Sequence, residues 1–246
     1  MSHTLAPRAQ LGVLTARYRD VMLGDWPTLL LLVGQAPAIG ALCAVVWGTV
    51  EEGTPSLWFV LALSSVWFGC INACREIVKE RAIFERERMF GLSLPAYVGS
   101  KMGVLAMLGL VQVVLLQGAV EWSLSLRGPY LVETLALWLG SLAGTGLGLL
   151  VSALATRQER AVGVVPLLLL PQILFSEFAV PDKHFTGLLE VVRSMMPVHW
   201  TYTIFSASAA TDPRWSEVGE GMVVLPITAV ALAVLTIGAL LRRQET

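Results

Sequence analysis

The sequence has 246 residues, of which 55% are hydrophobic and only 14% are charged, and its formal net charge is −1. This is more apolar surface than a soluble core of that size needs, and the apolar residues stand in long blocks. A soluble globular domain is therefore excluded. The near-zero net charge, without a long basic cluster, also argues against nucleic acid as a partner. The composition indicates a protein that crosses a membrane several times.

Residues 1–27 are mostly polar and precede a full-length apolar run, so we predict no cleavable signal peptide. Within them, Leu11, Leu14, Tyr18 and Met22 fall on one helical face. This pattern is typical of an amphipathic helix that lies along a membrane surface. We therefore predict an amphipathic connecting helix over 1–27.

Six apolar runs follow, each about as long as a helix needs to be to cross the hydrocarbon layer. The predicted spans are residues 28–50, 56–73, 99–120, 131–155, 161–180 and 222–241. Lipid offers no partners for backbone N–H and C=O groups, so each run must be a helix. Pro37 and Pro171 fall inside spans, where we expect them to kink the helices rather than end them. The expected fold is an all-α integral membrane protein with a six-span membrane domain over 28–246.

Several small or chemically reactive residues within and between the spans have no strong functional pattern. Cys43, Cys70 and Cys74 are odd in number and lie in or at the ends of apolar runs, so we expect buried thiols rather than a disulfide framework. His184 and His199 are too few for a zinc site. No metal is expected.

A second set of small residues lies in the fourth span, where glycines recur every four residues at 140, 144 and 148. Small residues at this interval let two helices approach closely in lipid. We expect packing against a helix of the same chain, with a dimer contact as the alternative.

The distribution of Lys and Arg predicts the orientation, because cytoplasmic loops carry an excess of both. Thirteen of the 17 lie on one side of the predicted spans, and only Arg127, Lys183, Arg193 and Arg214 lie on the other. Both termini are therefore expected in the cytoplasm. The predicted location is the inner (plasma) membrane, with multiple spans.

The most polar stretch is REIVKERAIFERERMFG, residues 75–91, in which nine of 17 residues are charged. Charges of opposite sign stand three or four residues apart, as in Arg81 and Glu85, which supports a solvated helical hairpin. The alternative is a docking surface for a soluble partner, formed by mixed charges around exposed Ile83, Phe84 and Phe90. The charge pattern alone leaves both interpretations open.

The longer stretch REIVKERAIFERERMFGLSLPAYVGSK resembles the loop after the second span of the ABC-2 type permeases, in particular the G-subfamily of ATP-binding-cassette exporters. The matching residues, in order, are Glu80, Arg86, Glu87, Gly91, Ser93, Tyr97 and Lys101. The family's fifth span and the outer segment after it are similar to PQILFSEFAVP and the following MMPVHWTYTIF. The start of the membrane domain of bacterial members is similar to RYRDVMLGDWPTLLLLVGQAPAIGAL. Taken together, the similarity covers nearly the whole chain.

The resemblance implies that the connecting helix and a cytoplasmic coupling loop over 75–98 contact an ABC ATPase subunit. It also implies short outer re-entrant helices over 181–221 and a second membrane domain, identical or different, around a central path. The chain lacks a G-x-x-x-x-G-K-[ST] loop, so we expect it to bind no cofactor itself, with ATP and Mg²⁺ held by the partner ATPase. The residues that this implies for coupling are Arg75, Glu76, Glu80, Arg81, Phe84, Arg86, Glu87 and Arg88.

The resemblance also implies a translocation path between the second and fifth spans of two protomers. Its candidate residues are Ser65, Phe68, Asn72, Gln172, Phe175, Glu177 and Phe178, with Phe68 as an aromatic clamp or, alternatively, as ordinary packing. Glu177 departs from the family, which often has glycine there. We expect this carboxylate either to face an exit vestibule, paired with Lys183, Arg193 or a cationic substrate, or simply to emerge into water.

The leading hypothesis is therefore the permease subunit of an ATP-driven exporter for lipid-like or amphipathic substrates. An ion-coupled secondary carrier is the first alternative, although the interrupted spans do not pair up between two halves. An intramembrane enzyme is the second, although the sequence lacks the G-x-S-x-G and H-E-x-x-H motifs. An ABC ATPase that copurifies with the chain would separate the first hypothesis from both.

Overall fold

The computed structural model describes residues 6–49, 53–176 and 186–242, and most of these residues are in helices. A short 3-10 turn, Val78–Glu80, precedes the fourth helix. The helices are α1 Pro7–Gly24, α2 Trp26–Trp47, α3 Pro55–Ala73, α4 Arg81–Met89, α5 Leu94–Glu121, α6 Tyr130–Leu154, α7 Gln158–Leu174, α8 Leu188–Ser194, α9 Pro197–Ser208 and α10 Trp215–Arg242. The expected all-α class is confirmed for this part of the chain.

Among the described residues, five helices are long and apolar enough to cross a membrane, namely α2, α3 with the segment that continues it, α5, α6 and α10. They coincide with five of the six predicted spans. Helix α7 has 17 residues and begins near the start of the remaining span, 161–180, whose end lies outside the described residues. The sixth crossing therefore stays a prediction. Pro37 lies inside α2 and Pro171 inside α7, and neither ends its helix.

Two helix starts differ from the sequence prediction. Helix α5 begins at Leu94, inside the predicted loop 75–98, and α10 begins at Trp215, inside the predicted outer segment 181–221. Helix α10 carries Glu217 in its first turn, where the partial positive charge of a helix N-terminus favours a carboxylate. At α10, polar residues that suit a first helical turn therefore lie outside the apolar run from which the span was predicted.

Helix α3 forms the centre of the fold and packs most closely on α6. Twelve of its 19 residues are buried, against three of 22 in α2. A Cβ at Gly144 of α6 would meet the backbone of Val66, and one at Gly148 would lie 2.5 Å from the carbonyl oxygen of Cys70. The glycine stripe therefore brings α6 against α3 within one chain, as expected.

Helices α2 and α10 lie at the periphery and expose apolar side chains. Leu31 and Val45 of α2 and Val230 of α10 are all exposed, as suits helices that face lipid. Helix α2 packs on α5, and α10 packs on α6 and α9. The two peripheral helices thus enclose the central helices from different sides.

An apolar cluster lies at one end of the bundle and joins α1, α4 and α5. It contains Leu14 and Tyr18 of α1, Phe84 of α4 and Tyr97 of α5. The rings of Phe84 and Tyr97 lie 4.9 Å apart between centroids. This cluster fixes the charged segment against the spans and positions the site described next.

Candidate functional site

The charged segment after α3 is anchored to α6 through its backbone. The hydroxyl oxygen of Ser152 accepts hydrogen bonds from the N–H groups of Ile77 at 2.9 Å and Val78 at 3.0 Å. At the other end of α4, Gly91 adopts a φ of 89°, a conformation that residues with a side chain rarely take, and the chain turns there into α5. The segment is therefore a fixed helical hairpin at the end of the bundle.

A buried ion pair links this hairpin to α5. Lys101 is only 1% exposed, and its Nζ atom donates to Oε2 of Glu80 at 2.8 Å. The ammonium group also lies 4.1 Å from the centroid of the Tyr18 ring and 5.2 Å from that of Tyr97. A buried cation is costly unless it is paired. The Lys101–Glu80 pair therefore holds the hairpin in one position relative to α5.

Glu76 joins the hairpin to α1. The hydroxyl of Tyr18 donates to Oε2 of Glu76, and Nζ of Lys79 donates to Oε1 of Glu76 at 2.6 Å. Burial raises the pKa of Tyr18 well above its usual value, and the neighbouring Glu76 charge adds to the effect. The phenol thus keeps its proton and remains a donor.

Two further contacts fasten α1 to the far end of α4. Arg17 forms an ion pair with Glu87. Gln10 donates from Nε2 to the carbonyl oxygen of Gly91 at 3.2 Å and accepts at Oε1 from the N–H of Ser93 at 2.8 Å. Together these contacts make α1, α4 and the start of α5 one polar cluster, which we call the hairpin network.

The predicted coupling residues divide between this network and the surface. Glu76, Glu80 and Glu87 belong to the network, Arg81 pairs with Glu85 at 2.9 Å, and Arg88 donates to the carbonyl oxygen of Leu92 at 2.8 Å. Arg86 is exposed and Arg75 is half-buried.

The expectation of an exposed Phe84 was wrong: its ring is 7% exposed because it packs on Tyr97. Ile83 and Phe90 are exposed, as expected.

The candidate path residues of α3 lie inside the chain. Ser65 and Phe68 are fully buried, and Ser65 faces Gly140 of α6. Asn72 donates to Oε1 of Gln112 at 2.6 Å, and Gln112 donates in turn to the carbonyl oxygen of Leu32 at 2.6 Å. In this arrangement these side chains join α3, α5 and α2, and none of the three presents a free surface to a second membrane domain.

The candidates of the fifth predicted span are only partly described. Gln172 is buried, and its Oε1 accepts a hydrogen bond from the N–H of Val198 at 3.1 Å, which fixes α7 to α9. Phe175 is half-buried. Glu177 and Phe178 lie outside the described residues.

Replacing Gln112 by leucine tests the polar chain between α2, α3 and α5. The variant loses both hydrogen bonds, and we expect the free energy of unfolding to fall by about 1 kcal/mol, within the range measured for such bonds inside membranes. Denaturation of the detergent-solubilised protein measures the change. The double variant Asn72→Leu/Gln112→Leu should cost little more than Gln112→Leu alone. A fully additive loss would mean that the two amides stabilise the protein independently.

Sequence reasoning missed four polar residues that the structure makes important. Lys101 entered only as a position in a motif, and Arg17 and Gln112 were not singled out. Glu133, fully buried in α6, was not considered; its Oε1 accepts from the N–H of Gly128 at 3.0 Å and its Oε2 from Gln117 at 3.3 Å. Three of these four lie within predicted spans, where an ionisable or amide side chain is itself a signal of a specific role.

Comparison with known proteins places these features in context. The family model for the ABC-2 type transporter matches residues 9–209. The chain is also similar to the ABC transporter ATP-binding/permease protein Rv1747 of Mycobacterium tuberculosis, with 27% identity over 223 residues. That match covers 82% of this chain and 25% of the relative, so the chain spans about a quarter of the relative's length.

Proposed function

The chain belongs to the ABC-2 type transporter family, and on this basis we propose that it is the permease subunit of an ATP-driven exporter. Membership in this family supports a membrane domain that takes part in transport. It favours the exporter over the ion-coupled carrier and the intramembrane enzyme. The proposed substrates are lipid-like or amphipathic molecules, since the spans carry few charges.

ATP and Mg²⁺ are held by an ABC ATPase partner in this proposal, either a separate subunit or another part of a longer protein. The relative named above carries both functions in its name, as an ATP-binding/permease protein, which supports the pairing. A second membrane domain, identical or different, completes the central path. The excess of Lys and Arg on one side supports an inner-membrane location with both termini in the cytoplasm.

The hairpin network is the observation that carries the proposed mechanism. Ile83 and Arg86 of α4 and Phe90, directly after α4, are exposed and form the surface on which the ATPase pushes. Lys101–Glu80 then transmits the displacement of the hairpin to α5, and Arg17–Glu87 transmits it to α1. Because close ion pairs and a shared apolar cluster join these helices, they move as one unit when the ATPase closes.

Charge exchange between Arg17 and Glu87 tests this transmission. The Glu87→Arg variant places two guanidinium groups together and separates α1 from α4. We expect ATP-dependent transport to fall about fivefold, since a partly exposed pair contributes up to ~1 kcal/mol. The exchanged double variant Arg17→Glu/Glu87→Arg should recover most of the activity. The measurement is movement of a fluorescent phospholipid in vesicles that contain the chain with its coexpressed ATPase.

Two controls make the result specific. Arg19→Glu changes an exposed arginine that contacts only its neighbour Asp20 among the ion pairs of the described residues, and it should leave transport unchanged. ATP hydrolysis is followed in the same vesicles, and it should persist in Glu87→Arg while transport falls. Equal losses in Glu87→Arg and in the exchanged variant would refute transmission through this pair. Failure of any ABC ATPase to copurify with the chain would refute the proposed function itself.

A further inference from the structure

A cavity of about 550 Å³ separates α4 from the ends of α6 and α10. Ser152 and Ala155 line it at the end of α6, Leu240 at the end of α10, and Ile77 at the start of the hairpin. Its volume falls within the ~300–1,000 Å³ of small-molecule sites. The cavity is partly open to its surroundings and is therefore a cleft rather than an interior void. A cleft of this size behind the hairpin indicates a place for a ligand.

The cavity occupies one face of α4. Arg81, Phe84, Glu85 and Arg88 line it, and their spacing of three, four and seven residues puts them on one side of the helix. Ile83 and Phe90 fall outside this lining and are exposed, 45% and 78% respectively. The cavity and the proposed ATPase surface therefore use different faces of the same helix.

The lining combines positive charge with an apolar floor. Two guanidinium groups and one carboxylate line it. Nε of Arg81 donates to Glu85 at 2.9 Å, and Arg88, which has other interactions as well, donates from Nη1 to the carbonyl oxygen of Leu92 at 2.8 Å. Each guanidinium has five N–H donors in a fork that fits phosphate oxygens. Phe84 and Leu240 supply the floor. This combination suits a ligand with an anionic phosphate and an apolar tail.

The position of the cavity indicates where such a ligand comes from. It lies where two spans, α6 and α10, reach the end of the bundle that carries the hairpin network. Leu154 and Leu241, beside the lining residues, are 58% and 45% exposed, so the apolar surface continues outward along both helices. Basic pockets between spans on the cytoplasmic side recognise anionic lipid head groups.

We propose that this cavity binds an anionic phospholipid of the inner leaflet, with its phosphate on Arg81 and Arg88 and its upper acyl chain against Phe84 and Leu240. The proposal rests on the orientation given under the proposed function, with the hairpin in the cytoplasm. The lipid fills the space behind α4 and supports the hairpin from the membrane side. When the ATPase pushes on the opposite face, α4 moves with the spans instead of collapsing into the cavity.

Photolabelling with a defined lipid tests the proposal without any ATPase. The full chain is placed in phosphatidylcholine vesicles with a phosphatidylglycerol that carries a diazirine near the glycerol end of its acyl chain. After irradiation, labelled peptides are mapped by mass spectrometry. We expect labelling at Met89 and at the end of α10, and about tenfold less in Arg81→Gln/Arg88→Gln, the loss expected when charge-assisted hydrogen bonds are removed. Ala155→Phe, which fills the cavity, should reduce labelling to a similar extent.

Matched variants and probes separate the other outcomes. Leu154→Phe adds the same ring at a neighbouring position outside the lining, and Arg160→Gln removes a charge outside it; both should label like the unmodified chain.

Equal labelling by a diazirine phosphatidylcholine, or full labelling of Ala155→Phe, would overturn the proposal. Competition by inorganic phosphate would instead indicate a free-anion site, and loss of labelling on adding the ATPase would indicate a protein occupant; either result also overturns it. If labelling is as expected but no ATPase supports transport, the proposed function fails and the lipid site stands.

Discussion

Replacement of Glu80 by alanine is expected to lower the free energy of unfolding by about 3–5 kcal/mol, the usual cost of breaking a buried ion pair. The reason is the ammonium group of Lys101, which is buried in α5 and donates to Glu80 at 2.8 Å. Without Glu80 the cation stays in an apolar setting with its main acceptor removed. Thermal and SDS denaturation of the detergent-solubilised chain measure the loss.

Glu85→Ala is the matched control for this prediction. Glu85 lies five residues further along the hairpin, its side chain is mostly exposed, and its pair with Arg81 should contribute less than ~1 kcal/mol. The double variant Glu80→Ala/Lys101→Met removes both charges and should recover most of the stability. Equal losses in Glu80→Ala and Glu85→Ala would show that Lys101 is satisfied by another acceptor, with Glu76 the nearest candidate.

Because charge reversal at Glu80 would unfold the hairpin, tests of coupling should use Glu87.

The Gly69→Ala variant should be the most damaging single-methyl change in the spans that we can identify from the structure. A Cβ at Gly69 would press on the carbonyl oxygen of Ser141 and lie 2.6 Å from the backbone nitrogen of Thr145. Both atoms belong to the backbone of α6 and have no rotamer through which to move away. Overpacking of this kind costs about 1–3 kcal/mol, and Gly69→Val should cost more. The same denaturation measurement, with yield of monodisperse protein, reports the loss.

Gly103→Ala provides the comparison that isolates this close approach. Gly103 lies inside a long apolar helix, α5, as Gly69 lies inside α3, but nothing lies within 4 Å of the position of its Cβ. The change should be neutral or stabilising by up to ~1 kcal/mol, because alanine favours helix over glycine. If both variants lose the same stability, the contact between α3 and α6 is looser than the structure indicates.

The sequence predicted the five long apolar helices because an apolar run of about 20 residues must fold as a helix in lipid, while the sixth span stays a prediction. The predicted helical pairs within the hairpin, such as Arg81 with Glu85, were also confirmed, since residues four apart on a helix are neighbours. The ion pairs that join the hairpin to α1 and α5 could not be predicted from the sequence. Arg17 and Glu87 are 70 residues apart, and Lys101 and Glu80 are 21 apart, so no local spacing predicts either contact.

Burial was the other property that the sequence could not decide. Phe84 and Phe90 are the same residue type in one charged segment, yet the first is buried on Tyr97 and the second is exposed. Likewise, the resemblance assigns Ser65 and Phe68 to a path, but both are fully buried within the chain, and Ser65 faces Gly140 of α6. Which side of a helix faces inward depends on the neighbours that tertiary packing brings to it.

The single hydroxyl of Ser152 has a consequence for how the protein is made. It accepts the N–H groups of Ile77 and Val78, which are translated about 75 residues earlier. Until α6 has been synthesised and inserted, those two backbone groups lack this acceptor and the hairpin lacks its anchor to the bundle. The surface proposed for the ATPase is therefore completed late in biosynthesis, after the ribosome has added the fourth of the five long apolar helices. A partner that recognises the finished hairpin would thereby select chains in which α6 is inserted over chains that still lack it.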